Sequence, residues 1–365
     1  TMTSAVFGNH SSGPGNVTIK LEGSGAQTLA GPTAGHFPNV TIDKPAGRLT
    51  LSGAPYIVGN WTHMRGEVAA GSSTLILACA YKVPQSITPG PRAYNNVIIR
   101  GFGQYSSQEI SGTMNVSGNL ELGVTAYSGN KLNGGAIAVK GDVIVDPNFG
   151  MINSALQLNG VGAQNADFGG RALRNLNVTN TSSAVTFSNG FSIPADGMIT
   201  FATGTVAKFA AGQTFTLNTL SGLSGTSDHP VTLRSNVDGQ QWRLVVALHG
   251  ARVLYVDVKD SDASSCATIN TCGSIDSGNN QNWNFNQVGV TSFATSDSSI
   301  VSPAWVEGAC GWDVTNLACS LNDVAANSTL IRLSDTKWFI DNNRSENVSP
   351  ALGVRLSPTA ATTVV

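Results

Sequence analysis

Four aspartates, Asp257, Asp260, Asp262 and Asp276, fall within one stretch, YVDVKDSDASSCATINTCGSIDSGNNQNWNF from Tyr255 to Phe285. Carboxylates grouped this closely, with Asn279 and Asn280 beside them, have the chemistry of a calcium site, because Ca2+ takes roughly six to eight oxygens from carboxylates, amides and backbone carbonyls. Their spacing is neither the D-x-D-x-D-G loop of an EF-hand nor the glycine-rich nonapeptide calcium repeat. The competing reading places Asp257 and Asp260 at outward positions of the last strands. Asp262, Asp276, Asn279 and Asn280 then cap turns through bonds to backbone amides. Beyond this candidate calcium ion the sequence calls for no cofactor.

The same stretch holds Cys266 and Cys272; Cys310 and Cys319 form a second close pair, and Cys79 sits alone in TLILACA. C-x5-C and C-x8-C lack the tight C-x2-C knuckle of structural zinc, and none of His10, His36, His63, His229 and His249 lies near either pair. Disulfides Cys266–Cys272 and Cys310–Cys319 are the expectation, which suits an oxidising compartment. Cys79 reads as a buried apolar thiol.

Catalytic constellations are sparse. The chain has no G-x-S-x-G elbow, no H-E-x-x-H and no phosphate loop. A carbohydrate-cleaving site needs acids converging on one sheet, or a carboxylate-bound calcium with an Arg or Lys base. Glu67, Glu109, Glu121 and Asp142 are instead scattered singly, no Asp-Asp or R-x-K pair occurs, and His249-Gly250 stands alone. No catalytic residue is assigned, and the chain is not expected to be an enzyme.

The elements that would position these groups are strands. Short runs such as RLTLS, TLILA, AIAVKGDVIVD and TFTLN are separated by Gly, Asn, Ser or Pro, with period-two alternation in Arg48–Ser52 and Asp142–Asp146. No window carries a capped 3.6-residue period, so almost no helix is expected. Charged residues make up only 12% of the 365, Gly supplies 41, and Lys plus Arg (20) nearly balance Asp plus Glu (22). Without a basic block, nucleic acid is excluded as a partner. No apolar run is long enough to span a bilayer, and TMTSAVFGNHSS has the features of no signal peptide, so an exported form would have lost its signal.

Three segments share a glutamine-centred turn followed eleven or twelve residues later by an asparagine-centred strand: Gln27 with Asn39, Gln85 with Asn96, and Gln164 with Asn175. They predict repeat units of several short strands with turn insertions. A propeller would show a blade signature and a sandwich would be shorter, so a right-handed parallel β-helix fits best. An ice-binding solenoid would need a regular threonine array, which Thr18, Thr41, Thr50 and Thr74 do not make.

The order GSGAQTLAG…FPNVTID…LTLSG, then ITFATGTVAKFAAGQTFTLNTLSGLSGTSDHPVTLRSNVDGQQWRLVV, then YVDVKDSDAS…DSGNNQNWNF resembles the strand-repeat segments of large secreted or surface-exposed bacterial proteins, the filamentous-adhesin and autotransporter-passenger type of β-helix. The resemblance covers roughly residues 15–286. It implies that Val256–Ala263 and Asn282–Phe285 close a repeat block, with Cys266 and Cys272 a departure that staples the turn. After Asn286 the texture changes, with Trp305, Trp312 and Trp338 clustered there. The expected division is a β-helix over 1–286 and a small C-terminal β module, a cap or assembly domain, over 287–365.

Together these features lead us to expect a non-enzymatic structural or adhesive protein, extracellular or at the cell surface, forming a homo-oligomer or homopolymer such as a filament, sheath or surface layer. Surface glycans are candidate partners. The uncharged tail Leu356–Val365 has the pattern of a strand that could add to a neighbour's sheet edge. The alternative is a carbohydrate-active or carbohydrate-binding β-helix, with Trp61, Tyr105 or Trp242 lined along one groove.

Overall fold

The computed structural model describes residues 17–31, 35–80, 82–101, 106–124, 129–220, 222–247, 253–285, 328–334 and 337–342. Every named element is a strand, and from Val17 to Phe285 all strand pairing is parallel. Parallel neighbours cannot be joined by tight hairpins, so the chain winds once round for each new pairing. The result is a β-solenoid of about 11 turns.

Each turn contributes to three faces in a fixed order. The first face begins with Thr18–Glu22 beside the front of Asn39–Ser52 and continues through Gln85–Thr88 and Ser107–Ile110. The second stacks Gln27–Ala30 on the rear of Asn39–Ser52, and later Thr113–Val116, Ala136–Val139 and the rear of Ile152–Leu158. The third is one unbroken 11-stranded sheet from Tyr56–Ile57 to Ile275–Asp276. At 4.7–4.9 Å per pairing the described solenoid is about 50 Å long.

Why these residues form strands follows from the alternation. Ile152–Leu158, INSALQL, is buried at every second position from Ile152 to Leu158, and Asn96–Gly101 buries Val97, Ile99 and Gly101 in the same way. The inward residues of all three faces meet in one continuous core, from Leu21 and Leu29 to Val258 and Ile269. In the later turns that core turns aromatic: Phe187 stands in register with Phe209, and Phe209 stacks on Trp242 at 4.1 Å between ring centres.

The structural repeat is one turn, not the glutamine-to-asparagine unit expected from sequence. Gln85 lies on the first face, Gln27 on the second and Gln164 on the third, so the three segments are not equivalent places in the solenoid. Strand residues paired between neighbouring turns are 14 to 29 apart, from Ile269 with Trp283 to Thr214 with Arg243. Beyond Phe285 the described residues form one antiparallel pair, Ser328–Ser334 with Lys337–Asn342. The expected boundary after residue 286 and the tail Leu356–Val365 lie outside the described residues.

Candidate functional site

The four aspartates are distributed over the last turns rather than gathered at one point. Asp257 is on the third face, Asp260 at the corner that follows, Asp262 on the first face and Asp276 one turn on, beside Val258. Each carboxylate meets protein donors. Asp257 accepts from Arg234 Nη2 at 2.5 Å and Ser277 Oγ at 2.6 Å. Asp262 accepts from the Ser264 amide and hydroxyl, which hold its carboxyl below the usual carboxylate range. Asp276 accepts from the Gly278 amide at 2.9 Å and from Asn280 Nδ2 at 2.6 Å. The Ser264 and Gly278 amide bonds are those of turn capping, whereas Asp257 is held by side chains alone.

Asp260 departs from the expected outward position. It is 1% exposed, with φ of 58°. In this left-handed turn conformation the carboxylate bridges its two neighbours along the axis, accepting from the Gly239 amide one turn before at 3.1 Å and from Asn279 Nδ2 one turn after at 2.7 Å. Among the described residues no group of three or more His, Cys, Asp and Glu side chains is placed to hold a metal.

Of the pair expected to form the Cys266–Cys272 bridge only the Cys266 side chain is described, and no disulfide is present among the described residues. Cys266 is a free thiol whose Sγ donates to Ala263 O at 3.1 Å, and burial pushes that thiol up in pKa. Cys272 closes the strand Ile269–Cys272; Cys310 and Cys319 lie outside the described residues. Cys79 is the buried thiol expected, accepting a hydrogen bond from Gln108 Nε2 at 3.0 Å.

What sequence reasoning missed is a ladder at the corner between the second and third faces. Asn96 Oδ1 accepts the Asn119 amide, Asn119 Oδ1 accepts the Asp142 amide, and Asp142 Oδ1 accepts the Asn165 amide, at 2.9, 2.9 and 2.7 Å, with 23 residues at each step. Glycine precedes Asn119 and Asp142 because the ladder fills the space its Cβ would need. A Cβ on Gly118 would lie 2.3 Å from Asn96 Oδ1, and one on Gly141 2.4 Å from Asn119 Oδ1. On the first face Glu109, Asn133 and Asn153 form a similar outward line.

Two polar groups sit deep in the early turns. Lys44, 1% exposed, donates all three of its hydrogen bonds to Gly23 O, Gly25 O and Gln27 Oε1, at 3.1, 2.7 and 3.0 Å. Trp61 Nε1 donates to Tyr94 Oη at 2.9 Å, which donates to Pro89 O at 2.6 Å; burial raises the phenol's pKa. Buried His63 places its two ring nitrogens 3.1 Å from Pro89 O and Gly66 O.

Two of the three aromatics that the carbohydrate reading places along a groove are elsewhere. Trp61 and Trp242 are core residues at 0% and 1% exposure, and Tyr105 lies outside the described residues. A groove of about 1190 Å3 does run along the corner between the third and first faces, from Arg100 and Glu121 past Asp146 and Asp167 to Gln213 and Thr214. Arg100 Nη2 pairs with Glu121 at 3.0 Å. Of the other lone acids, Glu109 is bonded to Asn133 and Asp142 belongs to the ladder.

Compared with family models, with curated proteins and with solved structures, the chain shows no match.

Proposed function

We propose that this chain is a non-enzymatic structural or adhesive protein, displayed outside the cell and assembling with copies of itself. The observation that carries the reading is where the polar side chains go. The Asn96–Asn165 ladder, the Glu109–Asn153 line and, among the terminal aspartates, Asp257 and Asp260 bond along the solenoid axis, one turn to the next, while Asp262 and Asp276 cap their own turns. Side chains used this way lock turn to turn and make a stiff rod; they do not converge on a reacting atom, as acid–base catalysis demands. A parallel solenoid also ends in unpaired strand edges that must be capped or joined, and joining builds a filament or layer. The resemblance of residues 15–286 to surface strand-repeat proteins agrees with that use.

Electron microscopy and sedimentation of the purified chain test the proposal. Fibres, sheets or discrete oligomers are expected. A strictly monomeric protein that depolymerises a polysaccharide would replace this reading with the carbohydrate-active one.

A further inference from the structure

We infer that the groove between the third and first faces binds an extended, uncharged glycan lying along the solenoid axis; this rests on the adhesive form of the function proposed above. The groove exceeds the roughly 300–1,000 Å3 of a small-molecule cleft, and its lining comes from successive turns rather than from one loop. Its polar groups therefore recur at the turn spacing of about 4.8 Å. Asn189 Nδ2 bonds Asp167 one turn before it at 2.7 Å, and Gln213 follows one turn later. A ligand that meets such a line must itself repeat and carry hydrogen-bonding groups along its length.

Charge and topology narrow the class. One cation, Arg100, faces three carboxylates, Glu121, Asp146 and Asp167, so a polyuronate or other polyanion is repelled. A peptide adding as a strand would need a free strand edge for main-chain pairing. The strands that wall the groove have none: Leu120–Val124 pairs on both sides, and so does Val143–Val145. Hydroxyl groups remain, able to donate to the carboxylates and accept from Asn189, Gln213 and Thr214. Ile144, 54% exposed beside Asp167 in register, gives a sugar face an apolar contact.

Calorimetric titration of the full chain with a neutral β-linked glucan oligosaccharide, polygalacturonate and an oligolysine peptide tests the inference. The glucan is expected to bind, with a Gln213→Ala/Thr214→Ala double variant and an Ile144→Arg variant each at least tenfold weaker. Both variants alter outward side chains, and unchanged melting curves would show them folded. Val161→Ala, at an exposed corner away from the groove, should bind as the parent does. Glucan binding untouched by the groove variants, preference for polygalacturonate or oligolysine, or no glucan binding overturns the inference. Fibres without glucan binding would discard the groove alone, whereas glucan binding by a protein that never assembles would discard the self-assembly and keep the groove.

Discussion

The early and late turns of the solenoid fill the same cross-section by different means. Between Thr18 and Gly101 the interior is mainly aliphatic, holding Phe37 and the Trp61–Tyr94 pair but no column of rings, and is interrupted at the corners by buried Lys44, His63 and Gln85. From Phe168 onward it is a column of rings, in which Phe168, Phe187, Phe191, Phe209, Phe215 and Trp242 touch at 4.1 to 6.1 Å between centres. A ring column stabilises by area and by dispersion, and tolerates small shifts. A buried polar corner contributes only while every partner is in place. The late turns should therefore lose most from truncation, and the early turns most from the removal of one hydrogen-bonding group.

The largest effect is expected in the column. Trp242→Ala should cost about 3–5 kcal/mol, because the space between Phe209 and Phe215 cannot close within a fixed turn. Denaturant unfolding measures it, and a cycle with Phe209→Ala should recover a coupling of about 0.5–1.5 kcal/mol. A loss below about 1 kcal/mol would mean that the column is not closely packed.

Lys44→Met comes next. It keeps the length of the stem but leaves Gly23 O, Gly25 O and Gln27 Oε1 without their shared donor. A loss of about 1.5–3 kcal/mol is expected, since hydrogen bonds to a charged group fall in that range. Equal or greater stability of the variant would show that the early turns do not depend on their polar corners.

Gly141→Ala probes the ladder shared by the middle turns. The added methyl meets Asn119 Oδ1 and the Gly118 carbonyl within 2.5 Å, so one of them must give way at a cost of about 1–3 kcal/mol. Asn119→Ala, which frees that space, should restore part of the loss in the double variant. Strictly additive losses would contradict the steric account.

How much of this was legible in sequence depends on what each residue type reports. The strand class and the solenoid were legible because period-two alternation records burial directly, as in Ile152–Leu158. The length of the turn stands in the sequence but was passed over, in Asn96, Asn119, Asp142 and Asn165 at steps of 23 residues, with glycine before Asn119 and Asp142. Glutamine drew the reading elsewhere, because Gln27, Gln85 and Gln164 serve different corners through similar bonds to carbonyls or to lysine. The groove was not legible: a concavity at a corner depends on how short each turn is, and its lining residues stand one full turn apart in sequence. Nor could spacing tell a staple at Cys266 from a thiol bonded to Ala263 O.

The smallest effect is expected at the terminal aspartates, and it separates capping from calcium. Ser264 holds the Asp262 carboxyl below the usual carboxylate range, so its contribution is present above the ordinary aspartate value and is lost as pH falls through the lowered one. Exposure and screening keep that contribution small. Asp262→Asn should lower the melting temperature slightly at neutral pH and converge on the parent in acid, and excess chelator should move neither curve. If chelator lowers the melting temperature of the parent, and less so that of Asp262→Asn, the carboxylate acts on a bound cation as a ligand would through linkage. A difference between parent and variant that persists undiminished in acid would place the effect in packing rather than in charge.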